Sequence, residues 1–345
     1  MALTLLADLK HFENYFRLGY IEGLTYRVNI LNSQSAGVIR ASSEFTTGME
    51  KQLAFFEDFG TITRRDITVD TAQTPEKITR EKYYAFKTFW KYVPNNFQIS
   101  AFKTADGMTP EEVYIMIGRK LAEKKIDYVV KQALMIASAA IGSGTTSTTK
   151  DYTTPTAENF TVDKIPEALA LWGDRASSLK ALVMHSAVYF PMVKDQMVNF
   201  QFDSGSGLML YGGTPATFGL PVIVTDNPEL AYTSGGNTFY KTLLLADGAV
   251  TINDNGNTTA AYQTQIGNEN LKELFQAEGD IWNEVKGYKY IGSDRAENPA
   301  EANLMDPDNW AKWTNTYKDT AGLLIKSKGS VADAAQRVLT VRLAT

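Results

Sequence analysis

Two serine–lysine spacings, Ser147-Thr-Thr-Lys150 and Ser177-Ser-Leu-Lys180, are the residues best placed to do covalent chemistry in this chain. A lysine three residues after a serine can act as the base that activates its hydroxyl. Hydrolases built on that spacing also carry Ser-Asp-Asn and Lys-Thr-Gly, and neither occurs here. Only two histidines exist, His11 and His185, far apart in sequence. A lone histidine at a strand end is more often a satisfied polar residue than an oriented base. With no cysteine and two distant histidines, zinc is not expected. Gly205-Ser-Gly207 lacks the third glycine of a dinucleotide loop, and no Gly-Lys-Ser/Thr follows a phosphate-loop pattern. Thr251–Tyr262 resembles a calcium loop around Gly256, but Thr251 and Tyr262 stand where Asp and Glu are needed. It reads as a hairpin turn. Glu57-Asp58 and Glu111-Glu112 are surface and helix-start features. No catalytic, cofactor-binding or metal-binding residue is therefore assigned. The enzyme reading reduces to a serine hydrolase using Ser177 and Lys180 without its partners.

The elements are more informative than the motifs. Thr109-Pro110-Glu111-Glu112 is a helix start, with a capping threonine, proline at the first position and a capping-box carboxylate. Val113, Ile117, Leu121, Tyr128, Val129, Ala133, Ile136 and Ala140 recur at helical spacing, and Gly142 is read as the C-terminal cap. Such a helix is roughly 50 Å long. Leu5, Leu9, Phe12 and Phe16 share a face of a short N-terminal helix, and residues 19–50 read as an irregular arm. Leu53–Phe59 is apolar, Thr61–Val69 alternates as strands do, and Lys77–Trp90 is compatible with a strand or a helix. Thr145–Thr156 is a polar boundary. Pro166–Ser178 reads as a helix with Leu169, Trp172 and Ala176 inward. Ala181–His185, Leu220–Thr225, Tyr240–Ala246, Trp282–Ile291 and Leu323–Ile325 read as strands.

Composition sets the class. The 345 residues, 44% hydrophobic and rich in Phe and Tyr, can build substantial cores. A net charge of −5 argues against sequence-specific nucleic-acid binding through a basic face. Asp8 and Lys10 interrupt the first apolar run, so no signal peptide is read. No uncharged apolar run reaches the ~18–20 residues of a membrane span. The chain reads as made in the cytosol. An arm, a basic loop and a long helix that project from a core need neighbours to offset their ordering entropy.

In this order the segments resemble those of tailed-phage major capsid proteins, the fold named after a Hong Kong coliphage. Thr74-Pro-Glu-Lys-Ile78 looks like the return from that family's extended loop. Gly107–Gly142, with Lys131-Gln-Ala-Leu-Met-Ile136, looks like its spine helix. Ala181-Leu-Val-Met-His-Ser-Ala-Val-Tyr189, Phe218-Gly-Leu-Pro-Val-Ile-Val-Thr-Asp226 and Tyr240-Lys-Thr-Leu-Leu-Leu245 are similar to parts of its axial domain. Asn298-Pro-Ala-Glu-Ala-Asn-Leu304 and Asn309-Trp310 resemble its C-terminal segment. The resemblance implies an α+β fold: N-terminal arm 1–52, extended loop 53–82, peripheral domain 83–158 with spine helix 109–142, axial domain 159–264, return strands 265–295 and C-terminal segment 296–345. Pro191 departs from the pattern and puts the start of its helix near Phe190.

The resemblance also implies hexameric and pentameric capsomers, an icosahedral head around double-stranded DNA, and portal and decoration proteins as partners. The absence of a long charged N-terminal extension points to a separate scaffolding protein. A bacterial encapsulin shell and a generic oligomeric binding module are the alternatives. Residues 60–103 hold eight basic and four acidic residues, and 269–308 hold ten acidic and four basic. Contact between subunits is expected through Arg64, Arg65, Lys77 and Arg80 on the loop, against a neighbour's acidic surface.

Overall fold

A computed structural model describes residues 3–43, 47–56, 64, 67–68, 80–93, 109–154, 157–202, 220–265, 272–314 and 316–329. Two long helices, α1 (Leu3–Gln34) and α2 (Pro110–Gly142), run side by side. α2 starts as its residues dictate. Thr109 Oγ1 accepts the Glu112 N–H at 3.4 Å, and the Glu112 carboxylate accepts the Thr109 N–H at 2.9 Å. This box satisfies two amides that lack intrahelical acceptors. Gly142 does not close the helix. Ser143 is the cap, in the right-handed region, and Thr148 Oγ1 donates to the Ile141 carbonyl at 2.6 Å. A hydroxyl donor there removes the need for a left-handed glycine.

α1 is twice as long as its apolar pattern implied. Residues 19–34, read as part of an arm, are helical because they lie against α2. The contact is close. A Cβ on Gly19 would stand 2.4 Å from the Ile115 carbonyl oxygen, and one on Gly118 would stand 2.4 Å from that of Phe16. Gly19 and Gly23 on one helix, and Gly118 and Ala122 on the other, put small residues four apart on facing surfaces. α1 ends at Ala36 and Gly37, both with positive φ, which redirect the chain into β1 (Ile39–Ser43).

The remaining strands are β2 (Glu50–Phe56), β3 (Arg80–Tyr92), β4 (Thr149–Asp151), β5 (Leu179–Met184), β6 (Val222–Val224), β7 (Ala231–Ser234), β8 (Asn237–Ala246), β9 (Val250–Asp254), β10 (Thr259–Gln265), β11 (Lys272–Val285), β12 (Tyr288–Tyr290), β13 (Trp310–Lys312) and β14 (Gly322–Lys328). β1, β2, β3 and β9–β13 form one sheet, and β4–β8 with β14 form the other. The short helices are α3 (Lys164–Leu169), α4 (Ser186–Phe202) and α5 (Glu301–Met305).

Sheet membership cuts across the boundaries read from sequence. The chain leaves the six-stranded sheet at Asp247-Gly248, so β9 and β10 lie beside β11. The segment after 296 contributes β13 to one sheet and β14 to the other. The polar stretch at 145–156 supplies edge strand β4, parallel to β14. Thr251–Tyr262 is not a hairpin. β9 and β10 lie end to end along β11, Asp254 opposite Ile281 and Thr259 opposite Glu278, with a bulge at 255–258. Trp282–Ile291 is two strands, reversed at Lys286-Gly287, where Gly287 has φ 79°. The helix read at Pro166–Ser178 ends at Leu169, and a separate 3-10 segment starts at Gly173 (φ 53°).

α4 begins at Ser186, four residues earlier than the start near Phe190 read from sequence. His185 explains this: its Nδ1 accepts the Ala187 N–H at 3.1 Å, and its carbonyl accepts from Val188 and Tyr189. A capped start fixes the first turn, and Pro191 then forgoes one later backbone bond.

α2 lies between the sheets. From Gln132 to Ile141 every residue is buried, so this half is enclosed rather than amphipathic. The six-stranded sheet is buried on both faces. Leu243 and Leu245 of β8 join the core around α2, whereas Leu244 and Ala246 pack with Ile165, Trp172, Val188 and Met192. That double burial is why Ala181–Met184 of β5 and Leu243–Ala246 of β8 are continuous apolar runs.

Candidate functional site

The chemistry read from sequence does not assemble. Ser177 and Lys180 are both exposed, and among the described residues no hydrogen bond joins them. His185 is occupied as a helix cap and rests 4.8 Å from the Tyr240 ring. Its Nδ1 is 3.9 Å from Asp226, too far for a hydrogen bond. Gly205–Gly207 lies outside the described residues.

Of the proposed contact residues, Arg64 is exposed and Arg80 opens β3 opposite Phe56. Arg65 and Lys77 lie outside the described residues. β2 and β3 form an antiparallel ribbon, Glu50 opposite Phe86 through Phe56 opposite Arg80, that leads into and out of residues 57–79. Part of the charge counted from sequence is consumed within the subunit. Lys87 pairs with Asp280 at 2.6 Å, both buried. Glu301 pairs with Lys131. Asp294 accepts from Tyr290, the Ala300 N–H and Asn303. Glu278, Glu297 and Asp308 stay exposed.

A buried polar seam, missed by the sequence reading, occupies the bulge between β9 and β10. Asp254 and Asn255 are consecutive, and each is paired with a different element. Lys125, whose side chain is 2% exposed, reaches from α2 to Asp254 at 2.5 Å and to the Tyr20 hydroxyl at 2.6 Å. Its ammonium also sits 4.9 Å from the Trp90 ring. Burial pushes the Tyr20 hydroxyl above its ordinary range, against the pull of the Lys125 charge, so it stays protonated. Asn255 Nδ2 donates to Asp280 Oδ2 at 2.8 Å, the same carboxylate oxygen that takes Lys87. Lys87 lies among the aromatic residues of β3, where a charge is costly unless paired, but Asp280 follows Glu278-Gly279 in a largely polar strand and carries no such signal.

The outer face of α1 exposes Leu18, Ile21 and Tyr26. Beside it runs a groove of about 350 Å³ between α1 and α2, lined by Tyr26 and Met116 and crossed by Arg119–Glu22 (2.9 Å) and Arg27–Glu123 (3.6 Å). Neither surface brings together a catalytic constellation among the described residues.

The comparisons with known proteins agree with that geometry. A family model, Major capsid protein 13-like, matches residues 8–324. The chain belongs to this family. It is a major capsid protein, a structural component of the virion shell and not an enzyme. No curated protein matches it by sequence. Among solved structures it is similar to the capsid of cyanophage Pam1, at 9% identity over 87% of this chain and 90% of that one, with a TM-score of 0.52. The capsid of Ralstonia phage GP4 gives 10% identity over 86% and 88%, also at 0.52. At such identities the likeness establishes the fold. The α+β capsid architecture read from segment order therefore holds. Among the described residues, no helix of this capsid protein is long and apolar enough to cross a membrane.

Proposed function

We propose that this capsid protein closes an icosahedral head as pentamers and hexamers around double-stranded DNA, which it encloses without reading sequence. The observation that carries this is the family match across residues 8–324. A net charge of −5 disfavours overall attraction to phosphates. In this reading the six-stranded sheet with α3 and α4 is the axial part, and the eight-stranded sheet with α1 and α2 is the peripheral part. Scaffolding, portal and decoration proteins are its expected partners. Electron microscopy of native particles tests the proposal. Tailed, DNA-filled icosahedra are expected; protein-filled compartments without DNA would replace it with an encapsulin-type shell.

The β2–β3 ribbon carries the loop that reaches a neighbour. Arg64, Arg65, Lys77 and Arg80 meet exposed acids such as Glu278, Glu297 and Asp308 of the next subunit. Lys87 and Asp280 take no part, being paired internally. One exposed pair contributes only ~0–1 kcal/mol, but every subunit repeats it. Arg64→Glu with Arg65→Glu should leave circular dichroism unchanged and slow assembly, and salt should weaken the wild-type contact. Light scattering showing wild-type assembly rates for the double mutant at low salt would remove these arginines from the interface.

A further inference from the structure

Lys87, Asp280 and Asn255 lie on three neighbouring segments of one sheet: β3, β11 and the bulge after β9. Their arrangement is that of a nucleophile, a proton shuttle and an electrophile. Asp280 Oδ2 receives Lys87 Nζ at 2.6 Å and Asn255 Nδ2 at 2.8 Å, so one oxygen touches both nitrogens. The three residues are 7%, 5% and 2% exposed. The Trp282 ring, 5.2 Å from Lys87 Nζ, walls the site. Strand pairing holds the Lys87 and Asp280 backbones, and the Asn255 N–H donates to the Asp280 carbonyl at 3.4 Å, so ordering the three groups costs little further freedom. In a low-dielectric site an ion pair and its neutral acid–amine counterpart lie closer in energy than in water.

We propose that Lys87 and Asn255 form an isopeptide bond within one subunit, with Asp280 as the proton shuttle. Asp280 Oδ2 takes a proton from the Lys87 ammonium and frees its lone pair. Nζ attacks Asn255 Cγ, giving a tetrahedral centre. Asp280 passes that proton to Nδ2, the Cγ–Nδ2 bond breaks and ammonia leaves, while Asp280 takes the second proton that Nζ sheds. An ammonium, a carboxylate and a primary amide become a secondary amide, a carboxylic acid and ammonia, so no unpaired charge stays buried. No oxidant or other reagent is consumed. The bond ties β3 to the β9–β10 bulge across β11, inside the subunit, and joins no neighbours. It rests on the fold alone and does not depend on capsomer number or cargo.

Intact-mass spectrometry of denatured protein from assembled particles tests it, together with peptide mapping. The wild type should be lighter than its sequence by one ammonia and should yield a branched peptide containing Lys87 and Asn255. Lys87→Arg, which keeps the cation on Asp280 but cannot form the bond, should have the full sequence mass. Asp280→Asn should also restore the full mass in protein that still folds. Wild-type particles of full sequence mass would overturn the proposal. So would an ammonia loss that persists in Lys87→Arg, since Asn255-Gly256 can lose ammonia alone by closing a succinimide.

Discussion

Replacing Gly118 by alanine adds one methyl group where α2 meets α1. In an exposed helix interior that change stabilises by ~1 kcal/mol, through helix propensity. Here the new Cβ would stand 2.4 Å from the Phe16 carbonyl oxygen and 2.8 Å from the Tyr20 amide nitrogen. Cβ contacts essentially never fall below 3.0 Å, so the helices must part by about 0.6 Å. Both obstacles are backbone atoms, and no rotamer change relieves them. Displacing α1 also loosens Phe16 and the Tyr20–Lys125 hydrogen bond. Overpacking of this kind costs ~1–3 kcal/mol. Subtracting the propensity gain leaves a net loss of about 1 kcal/mol, reaching ~2 if the seam around Lys125 opens. Gly23→Ala is the control, because its Cβ would meet only the Ala122 methyl at 3.1 Å and Arg119 Cα at 3.4 Å. It should be neutral or slightly stabilising. The assay is urea unfolding of unassembled subunit at matched concentration, followed by far-ultraviolet circular dichroism. Gly118→Ala should lower the midpoint without changing the slope. Gly19→Ala meets Ile115 at 2.4 Å in the same crossing, so the double mutant should cost less than the two singles together. A midpoint for Gly118→Ala above wild type would refute the close crossing, and strict additivity would refute a shared displacement.

Leu121→Pro, in the middle of α2, removes a backbone hydrogen bond and should cost ~3 kcal/mol or more, read as loss of soluble subunit and of particles. Lys125→Met leaves Asp254, 17% exposed, without its cation; a loss of ~3–5 kcal/mol in urea unfolding is expected. Adding Asp254→Leu should recover much of that loss, and no recovery would mean that the pair is not the operative interaction. Burial pushes the Asp294 carboxyl up, but hydrogen bonds from Tyr290, Asn303 and the Ala300 N–H together hold it below its ordinary 3.8. A depressed carboxyl contributes stability that is present above the unfolded value and lost as pH falls through the lower folded value. Asp294→Asn should therefore flatten the pH dependence of stability below about 3.8, and an unaltered acid limb in a pH series of unfolding curves would contradict the assignment.

Sequence alone determined the features that depend on near neighbours along the chain. The α2 start was legible because a capping box is written in four consecutive residues. The strands β5 and β8 were legible because double burial demands apolar runs, here Ala181–Met184 and Leu243–Ala246. The order of segments carried the family. What only the tertiary structure decided depends on residues far apart in the chain. The 19–34 stretch is helical because Gly19 and Gly23 fit against Gly118 and Ala122 across nearly a hundred positions, and its own apolar pattern is weak. The bulge at 255–258 reads locally as a turn; β11, pairing with strands on both sides of it, makes it an interruption instead. Lys87 and Asp280 read as surface charges until β3 and β11 are placed in register. Their burial then turns two solvated ions into one obligatory pair, because an unpaired charge beneath that sheet would cost more than the fold could offset.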